Sequence, residues 1–411
     1  GAIADYEAIL KKSPNNSVAA LSLADAQFTA GNAALAENII TGVIQREPAF
    51  AQGYLALANL YLIQQRPDAA LMTLSIGKTA SPDDRNIAVT QADILTNLKR
   101  YDEAKKVLEE LAGHKDMAET ALFRLAAVHG QAKEHKQAVA VYDRILKLDP
   151  KSRMAAEGRI RAQIADKQEK AALEFAEKRQ KQFPDDPSAA YMTGEAALAA
   201  KNLPTAEKAF LRAVELAPQW DRPLRTMIQI YMGTKRQDQA VKLCRDTMKK
   251  APDSPQPAMI LGMLHEQLGD LRSAEDVYRD ILVKHPESLP TANNLAFLIT
   301  RRNPTPERLG EAEEFARKAT TSGSPSTFDT LGWIQHLRGN DEQAEISLRQ
   351  ALQGSQDNPF VNYHLAAVLA AQAEKAKADE AVALLEKLAK EKNFPLRADA
   401  DKLLEKLKTV K

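Results

Sequence analysis

"AQGYLALANLYLIQQRPDAALMTLSIGKTASP", residues 51–82, holds two apolar stripes of helical period separated by a polar break. Tyr54, Leu57, Ala58 and Tyr61 recur at the spacing of one helix face, and Ala70, Leu74 and Gly77 form a second face after the break at Gln64 to Asp68. A helical hairpin is expected here, ended by Pro82. Alone, such a hairpin buries only part of its apolar surface.

Outward from this stretch the pattern repeats. Prolines stand at Pro14, Pro48, Pro82, Pro150, Pro184, Pro218, Pro252 and Pro286, on a 34-residue ladder in which Asp116 fills the one missing rung. An alanine series, Ala2, Ala36, Ala70, Ala104, Ala138, Ala172, Ala206, Ala240, Ala274, Ala312, Ala344 and Ala381, keeps the same 34-residue step through its first nine members. Each unit also holds a leucine followed by a small residue, as in Leu23-Ala24, Leu57-Ala58, Leu125-Ala126, Leu261-Gly262, Leu295-Ala296, Leu331-Gly332 and Leu365-Ala366. Small residues let helices approach closely, so the array completes its core by stacking neighbouring hairpins. Gly31, Gly269 and Gly339 sit where the first helix of a unit turns into the second, a place that favours positive φ. Asp, Asn or Ser after the ladder prolines ("SPDD", "FPDDPS", "APDSPQ") are expected to cap the next helix.

Composition agrees with an all-α chain. Hydrophobic residues make up 44% of the 411 positions but aromatics only 5%, a profile of alanine- and leucine-rich helices. With 56 Lys+Arg against 55 Asp+Glu, the net charge of +1 leaves no basic footprint for nucleic acid. The single cysteine, Cys244, excludes an internal disulfide framework. No apolar run of about 18 residues occurs, so no membrane span is expected.

In period, alanine series and proline ladder, the chain resembles the tetratricopeptide repeat family over nearly its whole length. The resemblance implies a right-handed superhelical solenoid of helical hairpins. Eleven complete repeats are expected, starting at Ser17, Ala51, Arg85, Glu119, Arg153, Pro187, Asp221, Pro255, Leu289, Pro325 and Pro359. Residues 17–392 form this array. Residues 1–16 read as the second helix of a repeat whose first helix is missing, which is expected of a fragment of a longer protein, with Gly1 a tag remnant. Residues 393–411 read as a capping helix, with Leu396, Leu403, Leu404 and Leu407 on one face. Two stretches break the ladder. "TRRNPTPERLGEA" (300–312) is expected to lengthen a hairpin turn by four residues, and "AQAEKAKADEA" (371–381), three residues too long, is expected to lengthen helices.

Catalytic apparatus is not visible. The seven histidines, His114, His129, His135, His265, His285, His336 and His364, include no metal-type pair on one helix face, and "HEQLG" at 265–269 is half of a zinc motif. His129 and His265 take the stripe position held by Tyr61 and Tyr231, and so read as packing residues. Cys244 takes the slot of Tyr142, Phe210 and Tyr278 and reads as a buried thiol. No phosphate-binding, dinucleotide or nucleophile-elbow string occurs. No cofactor and no metal are expected.

Binding has an expected surface. If first helices line a concave face, the residues flanking each Leu-small leucine by two positions point into it. Early repeats place Leu21 and Asp25, Leu55 and Asn59, Val89 and Asp93 there; middle ones place Glu157 and Arg161, Tyr191 and Glu195, Arg225 and Gln229. From the eighth repeat the row turns apolar and aromatic: Met259 and Met263, Asn293 and Phe297, Asp329 and Trp333, then Tyr363 and Ala367. Leaving such side chains in water forfeits burial worth roughly 1.5–3 kcal/mol each, so something should cover them. A peptide in this groove is one cover, with Asn293 and Asn294 holding its backbone and Asp329 and His336 as polar handles. Superhelical winding, the capping segment, or self-association are the others. The carboxylate clamp of chaperone-binding members of the family is not matched: Arg222 and Arg225 are present, but the asparagine partners are absent.

The C-terminal third, with "TANNLAFLI", "DTLGW", "NPFVNYHLAAVLA" and "FPLRADADKLLEKL", resembles bacterial repeat lipoproteins associated with PEP-CTERM protein sorting and exopolysaccharide production. That resemblance implies a Gram-negative, periplasmic or outer-membrane-associated protein with a lipid on an upstream cysteine outside this chain; a cytoplasmic location is the alternative. The functional expectation is a non-catalytic scaffold binding a protein or peptide, in envelope assembly, secretion or polysaccharide export. The alternatives are a regulatory or substrate-presenting segment of a larger enzyme, such as a glycosyltransferase, and a polysaccharide-binding superhelix.

Overall fold

The computed structural model describes residues 1–372, 374–391 and 393–409. Ala373 in the second break of the ladder, the expected boundary at Lys392 and the last two residues of the expected cap, Val410 and Lys411, lie outside the described residues. Among the described residues there are 24 helices and no strand.

Contacts divide the chain into two units, Gly1–Ala209 and Phe210–Lys411. The first holds α1 (Ala2–Lys12), α2 (Ser17–Thr29), α3 (Ala33–Arg46), α4 (Ala51–Ile63), α5 (Pro67–Ala80), α6 (Asn86–Asn97), α7 (Tyr101–Ala112), α8 (Ala118–Gln131), α9 (His135–Leu148), α10 (Arg153–Ala165), α11 (Glu169–Gln182) and α12 (Pro187–Ala199). The unit boundary falls within α13 (Leu203–Leu216). The second unit continues with α14 (Asp221–Gly233), α15 (Gln237–Lys250), α16 (Pro255–Gln267), α17 (Leu271–Lys284), α18 (Leu289–Arg301), α19 (Pro306–Thr320), α20 (Pro325–Leu337), α21 (Asp341–Gly354), α22 (Pro359–Ala371), α23 (Lys375–Leu388) and α24 (Arg397–Thr409). From α2 to α23 even-numbered helices are the first and odd-numbered the second of each hairpin. The fold is a solenoid of such hairpins.

Close approach explains the small residues. In α4 and α5 a methyl group added at Gly77 would lie 2.7 Å from Cβ of Tyr54. Added at Gly262 of α16, it would lie 2.3 Å from the Tyr278 ring of α17. Eleven members of the alanine series, Ala36 to Ala381, are at most 1% exposed, whereas Ala2 is exposed. The leucines of the Leu-small pairs are buried beside them.

Turns inside the hairpins share one geometry. Gly31, Gly269 and Gly339 have φ of 90°, 79° and 80°, as their position requires. The same turn is made without glycine at Gln65, Lys99, Lys133, Lys167, Lys201 and Lys235, with φ between 58° and 61°. Its hydrogen bonds explain why: Lys99 N–H donates to Thr96 O and Arg100 N–H donates to Leu95 O, closing the end of α6 as the Gly31 turn closes α2. Backbone pairing, rather than residue type, holds the left-handed conformation.

Capping follows sequence only in part. Asn16, Ser152, Asp186, Asp270, Thr305 and Asn358 accept from backbone N–H groups of the following helix. In "SPDD" Asp84 accepts from Asn86 N–H. Ser254 of "APDSPQ" does not cap; its hydroxyl donates to Gln256 instead.

Both ladder breaks are absorbed differently from expectation. The α18–α19 turn, residues 302–305, is one residue longer than the α16–α17 turn, residues 268–270; the other three added residues move the start of α19 back relative to Ala312, and α19 itself, with 15 residues, is one longer than α17. A cluster of charges pins this irregular segment: Glu275 of α17, 6% exposed, accepts from Arg279, Arg302 and Arg308. Burial pushes the Glu275 carboxyl up, but the three arginines outweigh it and hold it below the ordinary range. At the second break no helix is longer: α22 has 13 residues and α23 has 14, the lengths of their counterparts. The insertion moves the start of α23 back relative to Ala381 instead. At the C-terminus, Leu396, Leu403, Leu404 and Leu407 pack on a cluster containing Leu385, Leu388 and Ala400.

Candidate functional site

The site is built from the first helices α16, α18, α20 and α22 of the second unit. α18 touches α20 and α20 touches α22 directly, so residues at equivalent positions stand in successive rows. α20 and α22 bring together four of the expected residues, Asp329, Trp333, His336 and Tyr363, with His364, which sequence reasoning did not single out. His364 is buried, and its Nδ1–H donates to Asp329 Oδ1 at 2.8 Å. Trp333 stacks on the His364 ring, with centroids 4.4 Å apart and planes at 21°. His336 lies 5.2 Å from Trp333, and its Nδ1–H donates to Asp341 Oδ1 at 2.5 Å. Both imidazoles are thereby oriented by carboxylates, and the half-buried Trp333 contacts both rings.

Tyr363, 6.3 Å from Trp333, is also 6.1 Å from Phe394, which precedes α24. Burial raises its hydroxyl above the ordinary value, and Asp399 of α24 adds to the effect. The capping segment therefore covers the Tyr363 end of the aromatic row. Phe394 was the missed partner there; its signal was its place in the quoted "FPLRADADKLLEKL", an aromatic directly before an amphipathic helix.

Farther along the row, α18 carries Asn293, Asn294 and Phe297. Phe297 is half-buried. Asn293 Oδ1 is buried without a hydrogen-bond partner. Asn294 is close enough to the Tyr278 hydroxyl to offset part of the rise in its pKa, and that hydroxyl donates to Glu266 at 2.7 Å. That amide belongs to the stack between repeats rather than to a ligand. Of the two methionines on α16, Met259 packs on the core and accepts a weak bond from Thr291, and Met263 is 42% exposed. The middle rows are internally neutralised: Arg161 pairs with Glu157 and Arg225 with Asp221.

Other candidates resolve into packing. Cys244 is fully buried, and burial pushes its thiol up to about 12, far from a nucleophile's range. His129 is held at the hairpin end by Glu134, 2.6 Å away, where Tyr61 and Tyr231 instead carry Arg66 and Arg236 over their rings. His265 is buried with its basicity lowered by desolvation. Among the described residues no group of three or more His, Cys, Asp or Glu is placed to hold a metal ion, and no helix is long and apolar enough to cross a membrane. In the first unit an apolar cleft of about 990 Å³ opens between α1 and α2, lined by Ile3, Tyr6, Val18, Leu21 and Phe50.

Comparison with known proteins gives the repeats their name. Family profiles described as tetratricopeptide repeat match residues 89–153, 170–219 and 259–288. These segments carry tetratricopeptide repeats. The TPR repeat-containing protein PA4667 of Pseudomonas aeruginosa is 29% identical over 140 residues, 32% of this chain, which spans 23% of that curated relative's length. Solved structures with similarity include yeast Tom70, at TM-score 0.45 and 15% identity, covering 99% of this chain and 92% of that one. The APC/C Cut9–Hcn1 hetero-tetramer matches at TM-score 0.45 and 15% identity, covering 98% and 92%. TTC0263, a thermophilic TPR protein of Thermus thermophilus, is 24% identical at TM-score 0.37, covering 44% of this chain and 97% of its own.

Proposed function

We propose that this chain is a non-catalytic scaffold that holds an extended protein segment along its first-helix face, at the rows of α16, α18 and α20, and that it serves bacterial envelope assembly, protein sorting and secretion, or exopolysaccharide export. One observation carries the binding reading: the buried Asn293 side-chain oxygen has no partner, and a peptide N–H is the donor that would satisfy it once the half-buried side chain rotates toward the face. Phe297 and Trp333 flank it along the row as half-buried apolar contacts for alternate side chains. Trp333 is already oriented by the two imidazoles, which lowers the ordering cost of recognition. The envelope role is supported by the likeness of the C-terminal third to the sorting-associated lipoproteins. Balanced charge argues against nucleic acid as the partner.

The test is an affinity capture from an envelope extract, comparing the wild-type chain with an Asn293→Ala/Trp333→Ala variant of unchanged helicity. A protein enriched by the wild type and lost from the variant supports the reading and names the pathway. Equal recovery by both folded proteins overturns it.

A further inference from the structure

A second cleft lies on the opposite kind of surface, between the second helices α15 and α17 and over the loop that leads into α16. Its volume is about 360 Å³. The floor is apolar, formed by Met248, Pro252, Pro255, Ala258, Val277 and Ile281. The rim is cationic on both sides: Arg245 and Lys249 stand on α15, and Lys284 stands on the last turn of α17 with His285 after it. Among the described residues, Arg245 and Lys284 have no acceptor, and the carboxylate nearest Lys249 is Asp246 at 3.8 Å, beyond hydrogen-bond reach. Asp280 shares the rim and Glu287 lies 3.7 Å from His285 Nδ1, so positive charge prevails through Arg245, Lys249 and Lys284.

We infer that this cleft is a separate docking site for an acidic linear peptide segment with an apolar side chain at its centre. Charge complementarity fixes the occupant. Cations flank the apolar floor from two helices, so a segment with carboxylates on both sides of one apolar side chain satisfies both rims, whereas an amphiphile with a single carboxylate satisfies one. Pro255 and Pro257 lack N–H groups, so the start of α16 offers few backbone donors, and recognition of the carboxylates falls to the side chains. The site lies between second helices, with Pro255 and Ala258 of α16 in its floor, and uses none of the residues of the face proposed above.

Fluorescence anisotropy of a labelled acetyl-Asp-Glu-Phe-Glu-Asp-amide peptide tests this on the full chain. Saturable binding is expected that weakens tenfold or more when the central Phe of the peptide becomes Asn, and likewise in an Arg245→Glu/Lys284→Glu variant. Arg245→Gln, a milder change at an exposed position, should weaken it about threefold if the double reversal disturbs folding. Added salt should weaken it further. Absence of saturable binding, equal affinity for the Asn peptide, or undiminished affinity in folded charge variants overturns the proposal. So does binding of sodium decanoate at this cleft, read by its displacement of the probe, at lower concentration than the unlabelled peptide.

Discussion

Replacing Gly262 by alanine asks whether the helices approach as closely as the repeat requires. The added carbon would lie 2.3 Å from Tyr278 Cε1 and 2.9 Å from its Cδ1 and Cζ, separations that real atoms do not hold. The ring cannot swing away easily, because it is fully buried and its hydroxyl is tied to Glu266 at 2.7 Å. Overpacking of this kind costs about 1–3 kcal/mol, while the better helix propensity of alanine returns about 1 kcal/mol. The pinned ring favours the upper part of the cost, for a net loss of about 1–2 kcal/mol. Gly310 in α19 has nothing within 4 Å of the same added carbon, so Gly310→Ala should stabilise by about 0.5–1 kcal/mol. Urea unfolding followed by circular dichroism measures both. In a Tyr278→Ala background the penalty at position 262 should vanish, leaving the propensity gain. A Gly262→Ala protein as stable as wild type, or a penalty that persists without the ring, would refute the reasoning.

Three more outcomes follow from the same structure. Glu275→Gln removes the charge that three arginines share, and should cost about 2 kcal/mol, between the values for exposed and buried pairs because the arginines stay partly solvated. Since the Glu275 carboxyl lies below its ordinary value of 4.5 in the folded chain, its contribution is complete above that value and is lost as pH falls below it; urea midpoints of wild type and variant should converge in acid. Lys133→Gly should raise stability by about 0.5 kcal/mol, because relief of the left-handed backbone at φ 61° outweighs the added freedom of the unfolded chain; thermal melts check the sign. Cys244 should resist a thiol reagent until the chain unfolds, with the labelling rate rising through the urea transition, since its buried thiol holds its proton.

Period was the most legible property of this chain. Proline and alanine recur every 34 residues because each hairpin presents the same small slot to the next, and the first helices start within one residue of the expected repeat starts: α6 begins at Asn86 and α8 at Ala118, where Arg85 and Glu119 had been expected. Less legible was how irregularity is absorbed. Extra residues at 300–312 moved the start of α19 back relative to Ala312, because Thr305 caps α19 early and Pro306 opens it. Side-chain pairing between repeats was hidden for a different reason. His364 meets Asp329 35 residues away, and Tyr142 turns toward Gly158 of the next hairpin while Tyr278 turns toward Gly262 of its own. A repeat length does not encode the stagger of neighbouring hairpins or the rotamer that each ring adopts. The candidate face was therefore readable as a row of positions, but the division between Tyr363 under the cap, Asn294 inside the stack and Asn293 with an open acceptor was not.

The central claim is that the first-helix face around Phe297 holds a protein segment, and site-specific photo-crosslinking in the native host tests it most directly. A benzoylphenylalanine at position 297 should yield a discrete protein adduct that disappears when Asn293→Ala is added, while the same group at Ile346, 69% exposed on the second helix α21, should yield none. An adduct at 346 as strong as at 297, or none at 297 in a folded protein, would contradict the account.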